Sequence, residues 1–139
     1  MRYNTGMNCW IATHYPHPQP DNIPWYVYLR KPRRTLPDKG DFVAFYETRS
    51  PGPEGGPDGR RSIIKLGIVS GPMRNAPPEI PAPWVLEVPC IKIREGKMVP
   101  LWRAKEIIPR RPFFKQTLSR ISIAQFRAIE SEMVLTAAN

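Results

Sequence analysis

The hydrophobic pattern of the chain is organised around a short run, residues 42–46, in which apolar and aromatic residues follow one another without a polar interruption. A run of this length and composition predicts a strand that is buried on both faces. Gly40 and Asp41 precede it: the glycine can adopt the positive φ of a tight turn, and the aspartate can accept hydrogen bonds from nearby backbone groups. The pattern therefore predicts a turn that leads into the central strand of the core.

A second apolar run, residues 63–69, follows a segment at 50–59 that is rich in proline and glycine and can form neither a helix nor a central strand. We expect the two runs to form neighbouring antiparallel strands joined by a long hairpin loop. Gly67 lies in the middle of the second run, which predicts a β-bulge or the close approach of another backbone.

The N-terminal segment is predicted to contribute a strand at residues 8–12. The prolines at positions 16, 18, 20 and 24 then make residues 13–24 an extended loop. The aromatic segment 25–29 fits either a strand or a segment packed on the sheet edge. Further along, residues 84–93 form a strand with Pro89 at a bulge or an edge, and turn chemistry at 95–97 predicts a hairpin that returns through residues 98–102.

An amphipathic helix is predicted over residues 123–136, because four apolar side chains recur there at helical spacing: Ile123, Phe126, Ile129 and Met133. Ser119 or Ser122 can supply its N-cap. A second, short helix fits either residues 103–107 or residues 113–118.

Together these elements predict a single domain over residues 1–139, of the mainly β (α+β) class. The expected architecture is a twisted, mostly antiparallel β-barrel, closed or nearly closed, with small peripheral helices and a C-terminal helix. A chain of 139 residues is long enough to bury such a core without disulfides. Its buried residues are predicted to include Phe42, Ala44, Ile68 and Phe126.

Composition adds the cellular setting. A hydrophobic share of 41% is ordinary, so the 18 prolines indicate loop-rich β-structure rather than disorder. No apolar run approaches the ~20 residues of a membrane span, and the N-terminus lacks the apolar region of a signal peptide. Two cysteines, Cys9 and Cys90, do not make a disulfide framework, so we expect a protein of the reducing cytoplasm.

The formal net charge of +9 favours a polyanionic partner, most often nucleic acid, although a solvated basic face is the simpler alternative. The densest charge run, residues 30–34, directly follows an aromatic segment that begins with Trp25 and Tyr26. Cations bind phosphates and rings stack on unpaired bases, so this combination indicates single-stranded or extruded bases. The side chains predicted to contact phosphates are Arg30, Lys31, Arg33, Arg34, Arg60 and Arg61.

The sequence shows no coherent catalytic group, so we expect a binding protein that is not an enzyme and uses no cofactor. No nucleophile and base form a recognisable pair, and residues 67–71 lack the lysine and the spacing of a phosphate-binding loop. Cys9, His14, His17 and Cys90 fit no usual zinc spacing, so no metal site is predicted.

A set of short motifs, taken in order, resembles the PUA-like superfamily and, within it, the EVE domains. The motifs are Trp10-Ile11, Lys39-Gly40-Asp41 leading into Phe45-Tyr46, Gly67-Ile68-Val69, a strand starting at Trp84, and residues 118–123 with Phe126 and Ile129. The resemblance covers nearly the whole chain. It implies a β-barrel that presents a pocket for a modified or flipped base of DNA or RNA, and not an enzyme.

The departures from the EVE pattern fall on the pocket itself. A Lys-Ser-Glu-Pro-like segment follows the first strand in EVE domains, whereas residues 13–16 read Thr-His-Tyr-Pro in this chain. A His-Ser pair usually follows the Phe-Tyr, whereas Glu47 and Thr48 stand here. The central region of EVE domains is longer and contains a tryptophan. It is shortened in this chain, where Trp25 would take the place of that tryptophan. These departures bear on the ligand more than on the fold.

The residues that can surround a base lie at loop–strand junctions, which we expect at one end of the barrel. Tyr15 and Trp25 would stack on the base, while His14, Glu47 and Thr48 would hydrogen-bond its edge. An acceptor at Glu47 would favour the exocyclic amino group of adenine or cytosine. The alternative makes Trp25 and Tyr46 core aromatics and Glu47 a surface charge. The full predicted pocket is Thr13, His14, Tyr15, Trp25, Tyr46, Glu47 and Thr48.

The predicted function is therefore a nucleic-acid-binding module that recognises a base, modified in the EVE case, in an aromatic pocket. Two other classes remain as alternatives: a small RNA- or nucleotide-processing enzyme, and a protein-interaction module that binds an acidic partner. The sequence does not distinguish DNA from RNA.

Overall fold

The fold is a strongly curled sheet with two helices, seen in a computed structural model that describes residues 7–16, 26–51, 58–78, 80, 84–110 and 112–137. The strands are β1 (Cys9–His14), β2 (Tyr26–Leu29), β3 (Phe42–Glu47), β4 (Ser62–Val69), β5 (Arg74–Asn75), β6 (Leu86–Pro100) and β7 (Leu118–Ile121). The helices are α1 (Leu101–Ile107) and α2 (Ile123–Ala137), and a single 3₁₀ turn spans Phe113–Lys115.

The strand order is β2-β6-β4-β3-β1-β7, with the short β5 paired to β6. β1 and β3 are parallel, and every other pair is antiparallel. The end strands β2 and β7 do not pair with each other, so the sheet forms a half-barrel rather than a closed barrel. The predicted α+β class, the mostly antiparallel barrel architecture and the neighbouring β3–β4 pair are confirmed.

Both faces of the central strand β3 are buried, as its unbroken apolar run predicts. Phe42, Ala44 and Tyr46 pack with residues of α1 and α2 on the convex side. Val43 and Phe45 face the concave interior of the half-barrel, which is filled by side chains from β1, β2, β4, β6 and β7. Two apolar clusters on opposite faces thus hold the sheet.

The turn before β3 has the predicted chemistry. Gly40 has φ +94°, and the buried Asp41 carboxylate accepts three hydrogen bonds. Its Oδ2 accepts from the Trp10 indole N–H at 3.0 Å and from the Asp38 backbone N–H at 2.9 Å, and its Oδ1 accepts from the Asn8 backbone N–H at 3.1 Å. Asp41 therefore ties the start of β3 to β1.

The predicted hairpin at residues 95–97 is wrong, because β6 runs without a break from Leu86 to Pro100. Its pairing with β4 absorbs extra residues in two register shifts, one of them between the pairs Lys65–Glu95 and Ile63–Val99. Gly96 is not a turn residue: a Cβ there would meet the Met133 carbonyl oxygen at 3.1 Å. The glycine lets α2 lie closely against β6.

Gly67 meets both predictions made for it. A register shift falls between Leu66 and Gly67 in the β4–β6 pairing. A Cβ at Gly67 would also lie 3.1 Å from the Ile91 carbonyl oxygen and 3.1 Å from the Phe45 ring. The position therefore combines a bulge with a close approach.

The remaining elements differ from prediction mainly at their ends. β1 extends to His14, so the first two residues of the predicted loop are strand residues. Residues 26–29 form an edge strand, and of the two short-helix options the structure has the first as α1 and only a 3₁₀ turn at the second. Ser122 caps α2: its hydroxyl accepts from the Gln125 N–H at 3.0 Å. Ile68 is half-buried rather than buried.

Burial also sets the chemistry of the two cysteines. It raises the pKa of the Cys9 thiol to about 11, with a smaller contribution from the nearby Asp41 charge, and raises that of Cys90 to about 12. Both thiols are therefore protonated at neutral pH. None of the helices in the described part of the chain is long and apolar enough to cross a membrane.

Candidate binding cleft

A cleft of about 120 Å³ opens where β1 and β3 end and β7 begins. Parallel strands end at the same edge of a sheet, so His14 and Glu47 are register partners and the Thr48 N–H donates to the His14 carbonyl at 2.9 Å. β7 runs back from this edge, and the Thr13 N–H donates to the Thr117 carbonyl at 2.9 Å. The cleft is lined by Thr13, His14, Tyr15, Arg30, Thr48, Trp84, Phe114, Lys115, Gln116 and Thr117.

One wall of the cleft is aromatic and cationic. The rings of Tyr15 and Trp84 lie 5.8 Å apart between centroids, and the Arg30 guanidinium lies 5.4 Å from the centre of the Trp84 ring. Arg30 also donates a hydrogen bond of 3.0 Å to the Tyr15 hydroxyl. Arg30 follows β2 and Trp84 precedes β6, and the Val85 N–H donates to the Leu29 carbonyl at 3.0 Å. The curl of the sheet brings this corner against the end of β1.

A second lining segment is the 3₁₀ turn after Pro112. Its Phe114 ring lies edge-on to the buried Phe113, with 5.6 Å between centroids. The Nζ atoms of Lys105 and Lys115 lie 4.7 and 5.8 Å from the centre of the Phe114 ring. This segment therefore adds a further ring and further positive charge.

Polar groups lie between these aromatic residues. The Thr13 hydroxyl donates to the Phe113 carbonyl at 2.9 Å, and the Thr48 hydroxyl donates to the Ser50 carbonyl at 2.9 Å. Each hydroxyl oxygen keeps acceptor capacity. His14 Nδ1 lies 2.8 Å from the Tyr15 carbonyl oxygen, which can only accept, so Nδ1 carries the proton and donates.

The structure brings together four residues of the predicted pocket: Thr13, His14, Tyr15 and Thr48 line the cleft. Tyr46 and Glu47 do not line it. Trp25, the predicted stacking residue, lies outside the described residues. The base-binding role of all these residues stays a prediction.

Tyr46 and Glu47 have structural surroundings instead. Tyr46 packs edge-on against Phe113 with 5.5 Å between centroids. Burial raises the pKa of its hydroxyl, although the charge of the nearby Arg61, and then a hydrogen bond with it, act in the opposite direction. Glu47 is neither on the surface nor in the cleft: it is 4% exposed, and its Oε1 accepts from the Arg60 backbone N–H at 2.8 Å. Glu47 therefore anchors the chain entering β4.

Among the predicted phosphate contacts, only Arg30 lines the cleft. Lys31, Arg33 and Arg34 follow it along the chain and are exposed. Arg33 donates to the Leu118 carbonyl at 2.7 Å, which holds this segment beside β7. Arg60 and Arg61 are exposed and contact Glu47 and Tyr46 at the start of β4.

The sequence analysis missed Trp84 and the segment from Phe114 to Thr117. Trp84 was interpreted as the start of a strand, yet it follows a proline at a loop–strand junction, as Trp25 does. The same criterion that selected Trp25 therefore selects Trp84. In the described part of the chain, no histidine, cysteine and carboxylate side chains group as a metal site requires.

Comparison with known proteins identifies the fold. No protein-family model and no curated protein matches the sequence. An ASCH protein from Zymomonas mobilis aligns with a TM-score of 0.64 at 12% identity, over 89% of this chain and 94% of that one. Proteins from Rhodopseudomonas palustris and Agrobacterium tumefaciens align with TM-scores of 0.53 and 0.50, each at 11% identity, over 92% and 95% of this chain and 94% and 96% of theirs.

Identities this low establish the fold and nothing beyond it. The α+β barrel-like architecture expected from the motifs is confirmed, while the assignment to the PUA-like superfamily and, within it, to EVE domains stays a prediction. The chain is thus an α+β half-barrel with the fold of the Zymomonas ASCH protein.

Proposed function

We propose that the protein is a nucleic-acid-binding module that holds one unpaired base in the cleft. The observation that carries the proposal is the grouping of Tyr15, Trp84 and Arg30 at the cleft wall, with 5.8 Å between the two rings and 5.4 Å from guanidinium to indole. Half-buried rings beside a cation can provide the stacking and phosphate contacts that unpaired nucleotides need.

The size of the cleft supports a single base as the ligand. Its volume of about 120 Å³ is below the ~300–1,000 Å³ of sites that enclose drug-sized molecules. One heterocyclic ring can enter, and the sugar and phosphate remain outside beside Arg30 and Lys115. The Thr13 and Thr48 hydroxyls and the Gln116 amide can hydrogen-bond the edge of a base, modified or not.

We propose binding rather than catalysis as the activity. The described lining residues carry two cations, Arg30 and Lys115, and none of them is a carboxylate or a cysteine. Incubation with labelled RNA and DNA and analysis of the products tests this directly, because cleavage or base modification at a rate above a no-protein control would make the protein an enzyme.

The stacking role of Trp84 gives the first test. For Trp84→Ala we expect a loss of about 1–3 kcal/mol in affinity for short single-stranded oligonucleotides, measured by fluorescence anisotropy on DNA and RNA with modified and unmodified bases. Trp102→Ala is the matched control, because Trp102 on α1 is 68% exposed and lies outside the cleft. Equal affinities of Trp84→Ala and Trp102→Ala would show that the base does not bind in this cleft.

The cation run gives a second test. Replacing Arg30, Lys31, Arg33 and Arg34 by glutamine should weaken binding to all sequences alike, and the log–log salt slope should fall by about 0.7 per lost contact with a single strand. A control with the same change in net charge replaces four exposed cations elsewhere: Lys92, Lys97, Arg110 and Arg127. If the salt slope falls equally in both variants, residues 30–34 form a solvated linker and not a specific phosphate-binding segment.

A further inference from the structure

A continuous line of aromatic rings leaves the cleft along the outer face of β2. Trp84 lies 6.4 Å from Tyr28 between centroids, and Tyr28 lies 5.9 Å from Tyr26. Together with the 5.8 Å separation of Tyr15 and Trp84, this makes a row of four half-buried rings. We call this row, Tyr15–Trp84–Tyr28–Tyr26, the aromatic track.

Strand alternation explains why the track lies on the surface. Val27 and Leu29 of β2 fill the concave interior, so Tyr26 and Tyr28 point to the opposite face. β2 is an end strand of the sheet, and its main packing partner among the described elements is β6. Tyr26 and Tyr28 are half-buried on the outer face, and burial raises the pKa of the Tyr28 hydroxyl to about 12, so each ring presents only part of its surface along the track.

The far end of the track is held in place by a buried carboxylate. Glu87 of β6 is 4% exposed at its side chain and pairs with Arg74 of β5 at 2.7 Å. Arg74 in turn lies 5.2 Å from the centre of the Tyr26 ring and donates to the Tyr26 hydroxyl at 2.8 Å. Because Glu87 neutralises Arg74, this arginine positions Tyr26 rather than serving as a free phosphate ligand.

We infer that the aromatic track binds the nucleotides that flank the base in the cleft, so that the ligand is an extended single strand of about four nucleotides. This inference rests on the proposed function of the cleft. The separations of 5.8–6.4 Å between rings exceed the ~3.4 Å advance per nucleotide of a duplex strand. Only a strand whose bases are unstacked from one another can therefore use successive rings, and a duplex cannot.

The positions of Arg30 and Lys31 support a nucleic-acid strand that leaves the cleft along the aromatic track. Arg30 lies over Trp84, where the track leaves the cleft, and Lys31 comes next in the chain. In the described part of the structure neither side chain makes an ion pair with a carboxylate. A backbone that follows the track therefore passes cations at the cleft end, while base stacking supplies the contacts toward Tyr26.

The experiment measures affinity against oligonucleotide length. Oligothymidylate and oligouridylate of two, four and eight nucleotides, and an eight-base-pair duplex, are titrated into the wild type, Tyr26→Ala, the double variant Tyr26→Ala/Tyr28→Ala, and Trp84→Ala. Ile91→Ala is the control on β6, because Ile91 is 60% exposed and lies off the track. Thermal melts select the variants that remain folded, and the single variant keeps the test open if the double variant unfolds.

We expect wild-type affinity to rise at least tenfold from two to four nucleotides, and Tyr26→Ala to lose about fivefold or more for the longer oligonucleotides but less than twofold for the dinucleotide. Equal losses at every length, no loss at any length, or equal binding of the duplex would overturn the aromatic track. If Trp84→Ala alone weakens binding, the cleft stands without the track. If neither Trp84→Ala nor the tyrosine variants change binding, the cleft fails as well.

Discussion

Phe126→Ala is expected to destabilise the protein by about 3–5 kcal/mol, the usual cost of removing a fully buried phenylalanine. Phe126 is 0% exposed, and its ring stacks on Phe42 of the central strand with 5.1 Å between centroids. A domain of this kind has a total free energy of unfolding of about 5–15 kcal/mol, so the variant should be only marginally folded. Urea unfolding followed by circular dichroism measures the change.

Val134→Ala is the matched control on the same helix, because Val134 is 40% exposed and its truncation should change stability by about 0.5 kcal/mol or less. Truncation at Ile121 removes Phe126 together with the fully buried Ile129 and Met133, so the remaining chain should unfold or aggregate. A truncated protein that stays soluble and unfolds cooperatively would show that α2 is not part of the core.

The elements that sequence analysis located correctly are those whose pattern is local. The run at β3 has no polar interruption, and apolar residues recur at helical spacing in α2. The local sequence of each segment therefore predicts its conformation. The turn at Gly40 and Asp41 is also local chemistry. For these elements tertiary structure reinforces what the segment already prefers.

The hairpin predicted at residues 95–97 failed because two distant partners override the turn chemistry. β4 pairs with β6 on both sides of this stretch, and α2 approaches Gly96 so closely that a Cβ there would lie 3.1 Å from the Met133 carbonyl oxygen. In a sequence, a glycine that is required for close helix–strand contact cannot be distinguished from one that is required for a turn. Only the packing of α2, far along the chain, distinguishes them.

The cleft was predictable to the extent that it depends on two adjacent strand ends. Thr13, Tyr15 and Thr48 come together because β1 and β3 are parallel neighbours. Trp84 joins them only because the sheet curls until the β2–β6 corner meets β1, and curvature is not visible in a hydrophobic pattern. The sequence predicted Glu47 in the pocket, whereas its carboxylate accepts from the Arg60 backbone N–H instead. This contact depends on the path of the loop before β4, which the hydrophobic pattern does not show.

Asp41→Ala is the second large effect that we expect, a destabilisation of about 2–5 kcal/mol. The carboxylate is 3% exposed and accepts from the Trp10 indole and from the backbone N–H groups of Asn8 and Asp38. The substitution removes the acceptor but leaves all three donors in place. A buried donor without a partner costs about 1–3 kcal/mol, and water can reach the two backbone groups in part, which keeps the total below the sum.

Asp38→Ala separates this network from a general effect of altering the turn. The Asp38 side chain is exposed, and its contribution to the network is its backbone N–H, which alanine retains, so stability should change by about 0.5 kcal/mol or less. Asp41→Asn should fall between the two, since the amide keeps one acceptor oxygen but presents N–H groups where the other oxygen accepted. Urea midpoints for the three variants rank these outcomes. Equal midpoints for Asp41→Ala and Asp38→Ala would mean that the carboxylate does not hold β1 against the start of β3.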